Sequence, residues 1–315
     1  MAPEPGAPQR IAFYGLSGHN ASERDPIQAR TLAQKAKSTK MQDFMLPRHE
    51  LEKALAVAEE AALDAGTLAM EGWRAGAAIS KKGRFDLLTE YDLRSERLIR
   101  ERLGTSFPSH RIVGEEAEES GAGDLVWYVD PIDGTTNFAH GHFFFAVSIA
   151  LYHGDEGLVG AVCAPALGVL WKAMRGGGAF RNEEPCEVST RSRLDEAVCA
   201  TGFPYDRWSN PDNNHAELAL FLERVRGVRR CGAAAIDLCL VADGTYDFYW
   251  EKALSAWDMC AGALIVQEAG GLLSGYLGED PDPRSGKLVA SNGLVHDAAL
   301  KTIGEARHTL PFDGS

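Results

Sequence analysis

The sequence predicts a mixed protein, an α+β part followed by an α/β part, and three observations carry this prediction. Apolar residues begin to recur at three- and four-residue spacing at Leu51, which predicts a helix. Apolar runs separated by glycines over residues 143–190 predict successive strands. After residue 190, strand and helix patterns alternate, as is typical of layered α/β architecture. We therefore expect an N-terminal α+β part over residues 46–190 and a C-terminal α/β part over residues 191–315.

Two helices and then strands are expected in the N-terminal part. The first helix runs from Leu51 into the stretch GWRAG, and the second begins near Asp92. Strands are predicted at 111–113 and 125–130, and the second of these, LVWYVD, is apolar on both faces, as in a sheet that is covered on both sides. The strands that follow are predicted in FFFAVSIALYH, GLVGAVCAP, GVLWKAM, AFR and CEVST.

The C-terminal part is expected to alternate strands with helices. Strands are predicted at 197–201, 246–250 and 288–291. Helices are predicted at 210–226, 234–242, 256–269 and 295–306.

Residues 1–45 differ in character from the rest of the chain. They begin with a segment rich in proline and glycine and continue with the polar run QARTLAQKAKSTK, which lacks an apolar stripe. A segment of this composition buries little apolar surface, so we expect a loosely ordered extension.

Composition excludes several classes of protein. The 315 residues have a formal net charge of −13, the wrong sign for non-specific binding of nucleic acid. The six cysteines form no C-x-x-C pair, and we expect reduced thiols in a cytoplasmic protein. Apolar runs fall far short of the ~18 residues of a membrane span, and the N-terminus lacks the apolar core of a secretion signal. We therefore expect neither a nucleic-acid nor a membrane partner.

Four groups of acidic residues stand out from the solvated surface charge. They are Asp92 in LLTEYD, Glu115 in GEE, Asp130 with Asp133 in DPIDGTTNFAHG, and Asp258 in SAWDMC. Each group alone has an ordinary interpretation: a surface glutamate, a turn at Asp133, or at Asp258 a helix-dipole partner that contributes about 0.3–1 kcal/mol. Their joint occurrence, in this order, favours a shared chemical role.

The central loop of this set has the chemistry of a cation site beside an anion site. Asp130 ends an apolar strand, Pro131 interrupts the strand ladder, and the Asp133–Gly134 turn returns a second carboxylate towards the first. The residues 135–137 are candidates to cap a short helix, whose first amides then face an anion. Mg²⁺ prefers such oxygen ligands together with substrate phosphate, so the loop predicts a magnesium-phosphate site.

The motifs GEE, WYVDPIDGTTNFAHG and WDMCAGALIVQEAGG, with the lesser match GFPYDR, resemble those of the inositol monophosphatase family. That family lies within the lithium-sensitive, Mg²⁺-dependent sugar phosphatases, which include fructose bisphosphatases. The resemblance runs from about Leu51 to the C-terminus, and residues 1–45 have no counterpart. It implies a layered αβαβα sandwich of the sugar phosphatase type, inhibition by lithium and a homodimer.

The resemblance also implies a ligand set for two to three Mg²⁺ ions. Glu115, Asp130 and the carbonyl of Ile132 would hold the first ion. Asp130, Asp133 and Asp258 would hold the second, with Asp130 bridging the two. A third, weaker ion would use Glu115 and waters.

Catalytic and substrate-binding residues are implied in the same way. Asp92 and Thr135 match the pair that orients and deprotonates the attacking water, and Glu115 belongs to the same catalytic group. The substrate-binding residues would be Gly134 and Thr135 through their amides, Thr136 beside them, Lys81 near the site, and Ala234 and Glu251 at the polyol.

The expected activity is Mg²⁺-dependent hydrolysis of inositol 1-phosphate, or of a similar polyol phosphate, by an activated water. Ser255 stands where the family often has a polar or basic residue, which leaves the exact polyol open. A serine there cannot bind a second phosphate as a basic residue would, so we expect a monophosphate substrate. The alternatives are a sugar, nucleotide (3′-phosphoadenosine 5′-phosphate) or histidinol phosphatase, or a regulatory protein that keeps the phosphatase fold.

Overall fold

The computed structural model of the protein describes residues 46–75, 79–81, 87–282 and 285–309. The extension predicted for residues 1–45 and the side chain of Lys81 lie outside the described residues. The chain divides at Leu46, and the compact unit that begins at Pro47 contains all elements described below.

Two helices, α1 (Arg48–Ala75) and α2 (Glu90–Ser106), open this unit, with the short antiparallel ribbon of β1 (Ile79–Lys81) and β2 (Leu87–Thr89) between them. An alanine-rich stripe of α1 is fully buried, in agreement with its apolar spacing. Helix α2 begins two residues before the predicted Asp92, because Thr89 is its N-cap and Asp92 completes a capping box.

A seven-stranded sheet follows, in the spatial order β3-β4-β5-β6-β7-β8-β9 within the described residues. Only the β3–β4 pair is parallel. The short helix α3 (Thr135–Ala139) lies between β4 and β5. The strands are β3 (Arg111–Gly114), β4 (Leu125–Asp133), β5 (Ala146–His153), β6 (Glu156–Ala164), β7 (Val169–Met174), β8 (Gly178–Arg181) and β9 (Glu184–Cys186).

The C-terminal elements form a five-stranded sheet of described residues, in the order β11-β10-β12-β14-β13. Strand β10 runs parallel to both of its neighbours, whereas β14 runs antiparallel to its own. The strands are β10 (Val198–Thr201), β11 (Gly227–Arg229), β12 (Phe248–Lys252), β13 (Leu272–Ser274) and β14 (Lys287–Ser291). The helices are α4 (His215–Arg224), α5 (Ala234–Ala242), α6 (Ala256–Glu268) and α7 (His296–Thr309).

Alternating layers of helix and sheet make up the fold. Helix α1 packs on one face of the seven-stranded sheet. Helices α5 and α6 lie between the two sheets, where Leu238 and Ile265 share one apolar core with Trp171 and Tyr249. Helices α4 and α7 cover the far face of the five-stranded sheet. The predicted αβαβα sandwich is confirmed, and among the described residues no helix is long and apolar enough to span a membrane.

Several predicted elements have different bounds. Helix α4 was expected from residue 210 but begins at His215, because Asn214 adopts a left-handed conformation. The side-chain Nδ2 of Asn214 donates to Thr201 Oγ1 and Gly202 O, both at 2.7 Å. Strand β4 continues past Pro131, with a register shift between Asp130 and Asp133. The strand expected in CEVST ends at its first residue, Cys186.

The three-residue strands β11 and β13 were not predicted. The change of sheet falls between Cys186 and Val198, and the domain boundary near residue 190 stays a prediction.

Candidate active site

A cavity of about 490 Å³ lies where the end of β4, helix α3, the start of α5 and the β12–α6 connection meet. It brings together most of the residues predicted for the metal, the phosphate and the polyol. Those that line it are Glu115, Asp130, Ile132, Asp133, Gly134, Thr135, Thr136, Ala234, Glu251 and Asp258. Asp92 is buried behind this lining, in contact with Thr135.

Strand β4 supplies two buried carboxylates from either side of its irregularity. Asp130 Oδ1 accepts a hydrogen bond from the amide of Ile132 at 3.0 Å. The two oxygens of Asp133 accept from the first amides of α5, those of Ala234 at 3.3 Å and Ala235 at 2.7 Å. Burial, followed by the charge of Glu115, raises the pKa of Asp130 well above its usual range. Burial and the charge of Asp258 do the same to the pKa of Asp133.

Asp258 faces the same cavity from the first turn of α6. Ser255 is the N-cap of this helix, and its amide donates to Asp258 Oδ2 at 2.7 Å. Burial, reinforced by the charges of Glu115 and Glu251, raises the pKa of Asp258 to about 7. Asp258 therefore lies in the first turn of α6, where the helix-dipole interpretation placed it, and the residue still lines the cavity.

The segment that follows Glu115 is held by a buried carboxylate that the sequence did not single out. Glu96, on α2, accepts hydrogen bonds from the amides of Glu116 at 2.7 Å and Ala117 at 3.1 Å, and from Arg100 Nε at 2.6 Å. A Cβ atom at Gly114 would lie 2.3 Å from Glu96 Oε1, so the glycine of the GEE motif is required for this packing.

The turn after Asp133 and the start of α3 line the cavity with Gly134, Thr135 and Thr136. Gly134 is the N-cap of α3 with φ of 86°, a conformation that favours glycine, so the capping role expected for residues 135–137 is wrong. Thr135 Oγ1 lies 3.1 Å from Ile132 O and 3.3 Å from Asp92 Oδ1. The other oxygen of Asp92 accepts from the amide and hydroxyl of Thr89 at 2.8 and 2.5 Å, which fixes the carboxylate that Thr135 contacts.

Glu251 reaches the cavity from β12. It accepts a hydrogen bond from Tyr249 Oη at 2.5 Å. Burial raises the pKa of Glu251 to about 7, against the opposite effects of Tyr249 and Arg230. A Cβ atom at Gly202 would lie 2.0 Å from its Oε1, which explains the glycine of GFPYDR.

The neighbouring Lys252 points to a different cluster. Its Nζ lies 2.5 Å from Asp212 Oδ1 and 2.7 Å from Glu217 Oε1. Lys252 therefore pairs with Asp212 and Glu217 rather than with the neighbouring Glu251.

Sequence reasoning missed several residues that line the cavity. They are Asn137, Phe203, Pro204, Tyr205, Arg207, Arg230, Gly232, Ala233, Ala253, Leu254 and Trp257. Two features of the sequence point to these residues. The motif GFPYDR matches the family but was given no role, and the adjacent Arg229 and Arg230 lie just before Cys231-Gly232 in a chain of net negative charge.

The donor set fits Mg²⁺. Within the described residues, no group of three or more acidic, histidine or cysteine side chains is already arranged around one point as a metal site. The carboxylates instead accept hydrogen bonds from nearby amides. Every predicted ligand is a hard oxygen, and burying Asp130, Asp133 and Asp258 together is unfavourable unless protons or a cation neutralise them.

Comparison with known proteins agrees with the motifs. The model of the inositol monophosphatase family matches residues 50–309. An inositol-1-monophosphatase from Synechocystis sp. is 41% identical over 257 residues, which cover 81% of this chain and 90% of that protein. The Nus factor SuhB from Pseudomonas aeruginosa is 42% identical over 232 residues, 72% of this chain and 86% of that protein.

Solved structures give the same result. The inositol monophosphatase from Anabaena (Nostoc) sp. superposes with a TM-score of 0.75 at 36% identity, covering 81% of this chain and 97% of that one. The extragenic suppressor protein suhB from Bartonella henselae gives a TM-score of 0.76 at 36% identity, with 80% and 98% coverage.

Proposed function

The chain belongs to the inositol monophosphatase family, and we propose that its acidic cavity hydrolyses inositol 1-phosphate, or a similar polyol phosphate, with the help of Mg²⁺. The protein is a phosphatase, as its family and its relatives indicate. The observation that carries the proposal is the convergence of Asp130, Asp133 and Asp258 on one cavity with the start of α3.

The carboxylates are proposed to hold two to three Mg²⁺ ions. Glu115, Asp130 and the carbonyl of Ile132 would bind one, and Asp130, Asp133 and Asp258 a second, with Glu115 contributing to a third. Bound Mg²⁺ supplies neutralisation of the phosphate charge and a lower pKa for a water nucleophile. Asp130 belongs to both principal sites, so it is the residue whose loss should be felt most.

Thr135 and Asp92 are proposed to orient the attacking water and accept its proton. The Thr135 hydroxyl has one hydrogen, which it donates to Ile132 O or Asp92 Oδ1, and its lone pairs stay available to a water. Asp92 is held by Thr89, so the proton acceptor is fixed before substrate arrives. The amides of Gly134 and Thr135, with Thr136 beside them, are proposed to bind the phosphate.

Glu251 and Ala234 are proposed to contact the polyol. The Glu251 carboxylate is anchored by Tyr249 on one oxygen and can accept hydrogen bonds from vicinal hydroxyls on the other. The substrate-binding role of Lys81 stays a prediction. Inhibition by lithium, the homodimer and the cytoplasmic location also stay predictions, the last supported by six free cysteines.

The second candidate function is regulatory, because a relative of 42% identity is named a Nus factor. The convergence of Glu115, Asp130, Asp133 and Asp258 on one cavity favours catalysis.

The test is phosphate release from inositol 1-phosphate, 3′-phosphoadenosine 5′-phosphate, histidinol phosphate and a sugar phosphate, each with and without Mg²⁺. We expect the highest kcat/KM with a polyol phosphate. Absence of hydrolysis of every ester in Mg²⁺ would refute the proposal and leave the regulatory role.

A further inference from the structure

We propose that Ser148 and Tyr152, on β5, are positioning residues that fix Asp258 relative to Asp130 and so set the affinity of the site for its second Mg²⁺ ion. This inference rests on the proposed function, in which the two aspartates bind that ion together. Ser148 and Tyr152 both lie outside the motifs that the sequence analysis recognised. Their effect passes through the backbone of α6, because neither acts as a metal ligand.

The two aspartates are far apart along the chain and belong to separate elements. Asp130 lies on β4, whereas Asp258 lies in the first turn of α6. Both are fully or largely enclosed, and their carboxyl groups are within reach of a hydrogen bond. A cation that binds both therefore depends on how closely α6 approaches the seven-stranded sheet.

Two side-chain hydroxyls of β5 attach α6 to the sheet at this point. Ser148 Oγ donates to Trp257 O at 3.0 Å. Tyr152 Oη donates to Cys260 O, also at 3.0 Å. Trp257 directly precedes Asp258, and Cys260 lies two residues after it. The two hydrogen bonds therefore hold the helix backbone on both sides of the aspartate.

The register of the sheet places the first of these hydroxyls beside the other aspartate. Ser148 pairs with Asp130 across the β4–β5 ladder. Directly opposite residues of antiparallel strands project from the same face of the sheet, with Cβ atoms about 4.5–5.5 Å apart. One member of this pair is a proposed metal ligand, and the other holds the helix that carries the next ligand.

The surface between the two hydroxyls allows a close approach of the helix. Ala150 lies between Ser148 and Tyr152 on the same face of β5. Gly160, on β6, pairs with Ala150. A Cβ atom at Gly160 would lie 2.9 Å from Ala261 O, so the backbone of α6 lies directly against this glycine. Small residues at the centre and a hydroxyl at each end therefore fix the height of α6 above the sheet.

The test measures Mg²⁺ binding to the metal-free protein by calorimetry, together with the Mg²⁺ concentration for half-maximal phosphate release from inositol 1-phosphate. Ser148→Ala and Tyr152→Phe each remove one buried hydroxyl and keep the rest of the side chain. The matched control is Ser274→Ala, on the edge strand β13 of the other sheet. It also removes a buried hydroxyl, which lies 2.8 Å from both Gly275 O and His296 Nε2.

We expect Ser148→Ala to raise the Kd of the second Mg²⁺ ion at least about tenfold, the lower end of the effect of removing a partner that orients a metal ligand. Tyr152→Phe should raise this Kd less, because its carbonyl partner lies farther from Asp258 along the chain. Ser274→Ala should leave Mg²⁺ binding unchanged even where it lowers the Tm.

A double-mutant cycle separates positioning from a general loosening of the core. In the Asp258→Asn protein, Ser148→Ala should weaken the remaining Mg²⁺ binding no further, because the ligand that the serine positions is already lost. In the Glu115→Gln protein, Ser148→Ala should keep its full effect.

Mg²⁺ binding by Ser148→Ala and Tyr152→Phe that equals that of the control would overturn the inference while the phosphatase function stands. A Ser148→Ala effect of the same size in the Asp258→Asn protein would overturn it too. If Ser148→Ala does not fold, the comparison of Tyr152→Phe with the control decides. A wild-type protein that neither binds Mg²⁺ nor hydrolyses the ester would instead refute the proposed function, and the inference with it.

Discussion

Replacing Glu96 with glutamine should damage both the stability of the protein and its use of Mg²⁺. Glu96 Oε1 accepts from Ala117 N at 3.1 Å and Arg100 Nε at 2.6 Å, and Oε2 accepts from Glu116 N at 2.7 Å. A glutamine keeps one acceptor oxygen and turns an NH₂ group towards the remaining amide, donor against donor. With about 1.5–3 kcal/mol for each hydrogen bond to a charged group, we expect a loss of about 2–4 kcal/mol.

Thermal unfolding and the Mg²⁺ dependence of phosphate release measure the two effects. At about 2.1 cal/mol/K of unfolding entropy per residue, the expected loss corresponds to a Tm lower by roughly 4–7 °C. Because Glu115 immediately precedes the freed amide, the Mg²⁺ concentration for half-maximal activity should rise several-fold. Glu101→Gln is the matched control, an exposed glutamate on the same helix, and should change neither. A Glu96→Gln protein with the Tm and Mg²⁺ dependence of the control would refute the reasoning.

Three further predictions concern the site and the extension. Asp92→Asn and Thr135→Ala should each lower kcat more than they raise KM. The fold-loss in kcat of the double variant should be smaller than the product of the two single fold-losses, because both residues serve one proton path. A double variant whose fold-loss equals that product would contradict this. Burial raises the pKa of Glu251 to about 7, so the free energy of unfolding of the chelated protein should fall as pH rises from about 5 to 7. Glu251→Gln should remove at most about 3 kcal/mol of that fall, measured by urea titration at each pH. Parallel pH profiles of the wild-type and Glu251→Gln proteins would argue against the raised pKa. Deletion of residues 1–44 should leave cooperative unfolding and activity intact, since the compact unit begins at Pro47, and loss of cooperative unfolding would place the extension in the fold.

Local patterns were sufficient for much of the fold. Helix α5 has the predicted bounds, because its apolar run is long and ends at Asp243-Gly244. The strands β11 and β13 were missed because three residues carry no detectable alternation. The start of α4 was misplaced because Asn214 acts through tertiary contacts with Thr201 that no local pattern reveals.

The residues of the site likewise fall into those that local sequence predicts and those that depend on tertiary contacts. The central loop was predictable because Asp130, Asp133 and Gly134 lie close together along the chain, so that the local sequence determines their relative positions. Glu96 was not, since it acts on amides twenty residues away along the chain. The place of Arg230 in the cavity wall was not predictable either, because it depends on which loops the fold brings to one cavity.

The most direct test of the central claim is a calorimetric titration of the metal-free protein with Mg²⁺. The same protein is assayed for phosphate release from inositol 1-phosphate. Wild-type protein should bind Mg²⁺, be inactive when chelated and recover full activity on its return. Asp130→Asn should weaken binding and activity more than any other single ligand change, because Asp130 is proposed to serve two ions. The control Asp124→Asn, an exposed aspartate just before β4, should behave as wild type. Full activity after chelation, or an Asp130→Asn protein that binds Mg²⁺ as the control does, would contradict the account.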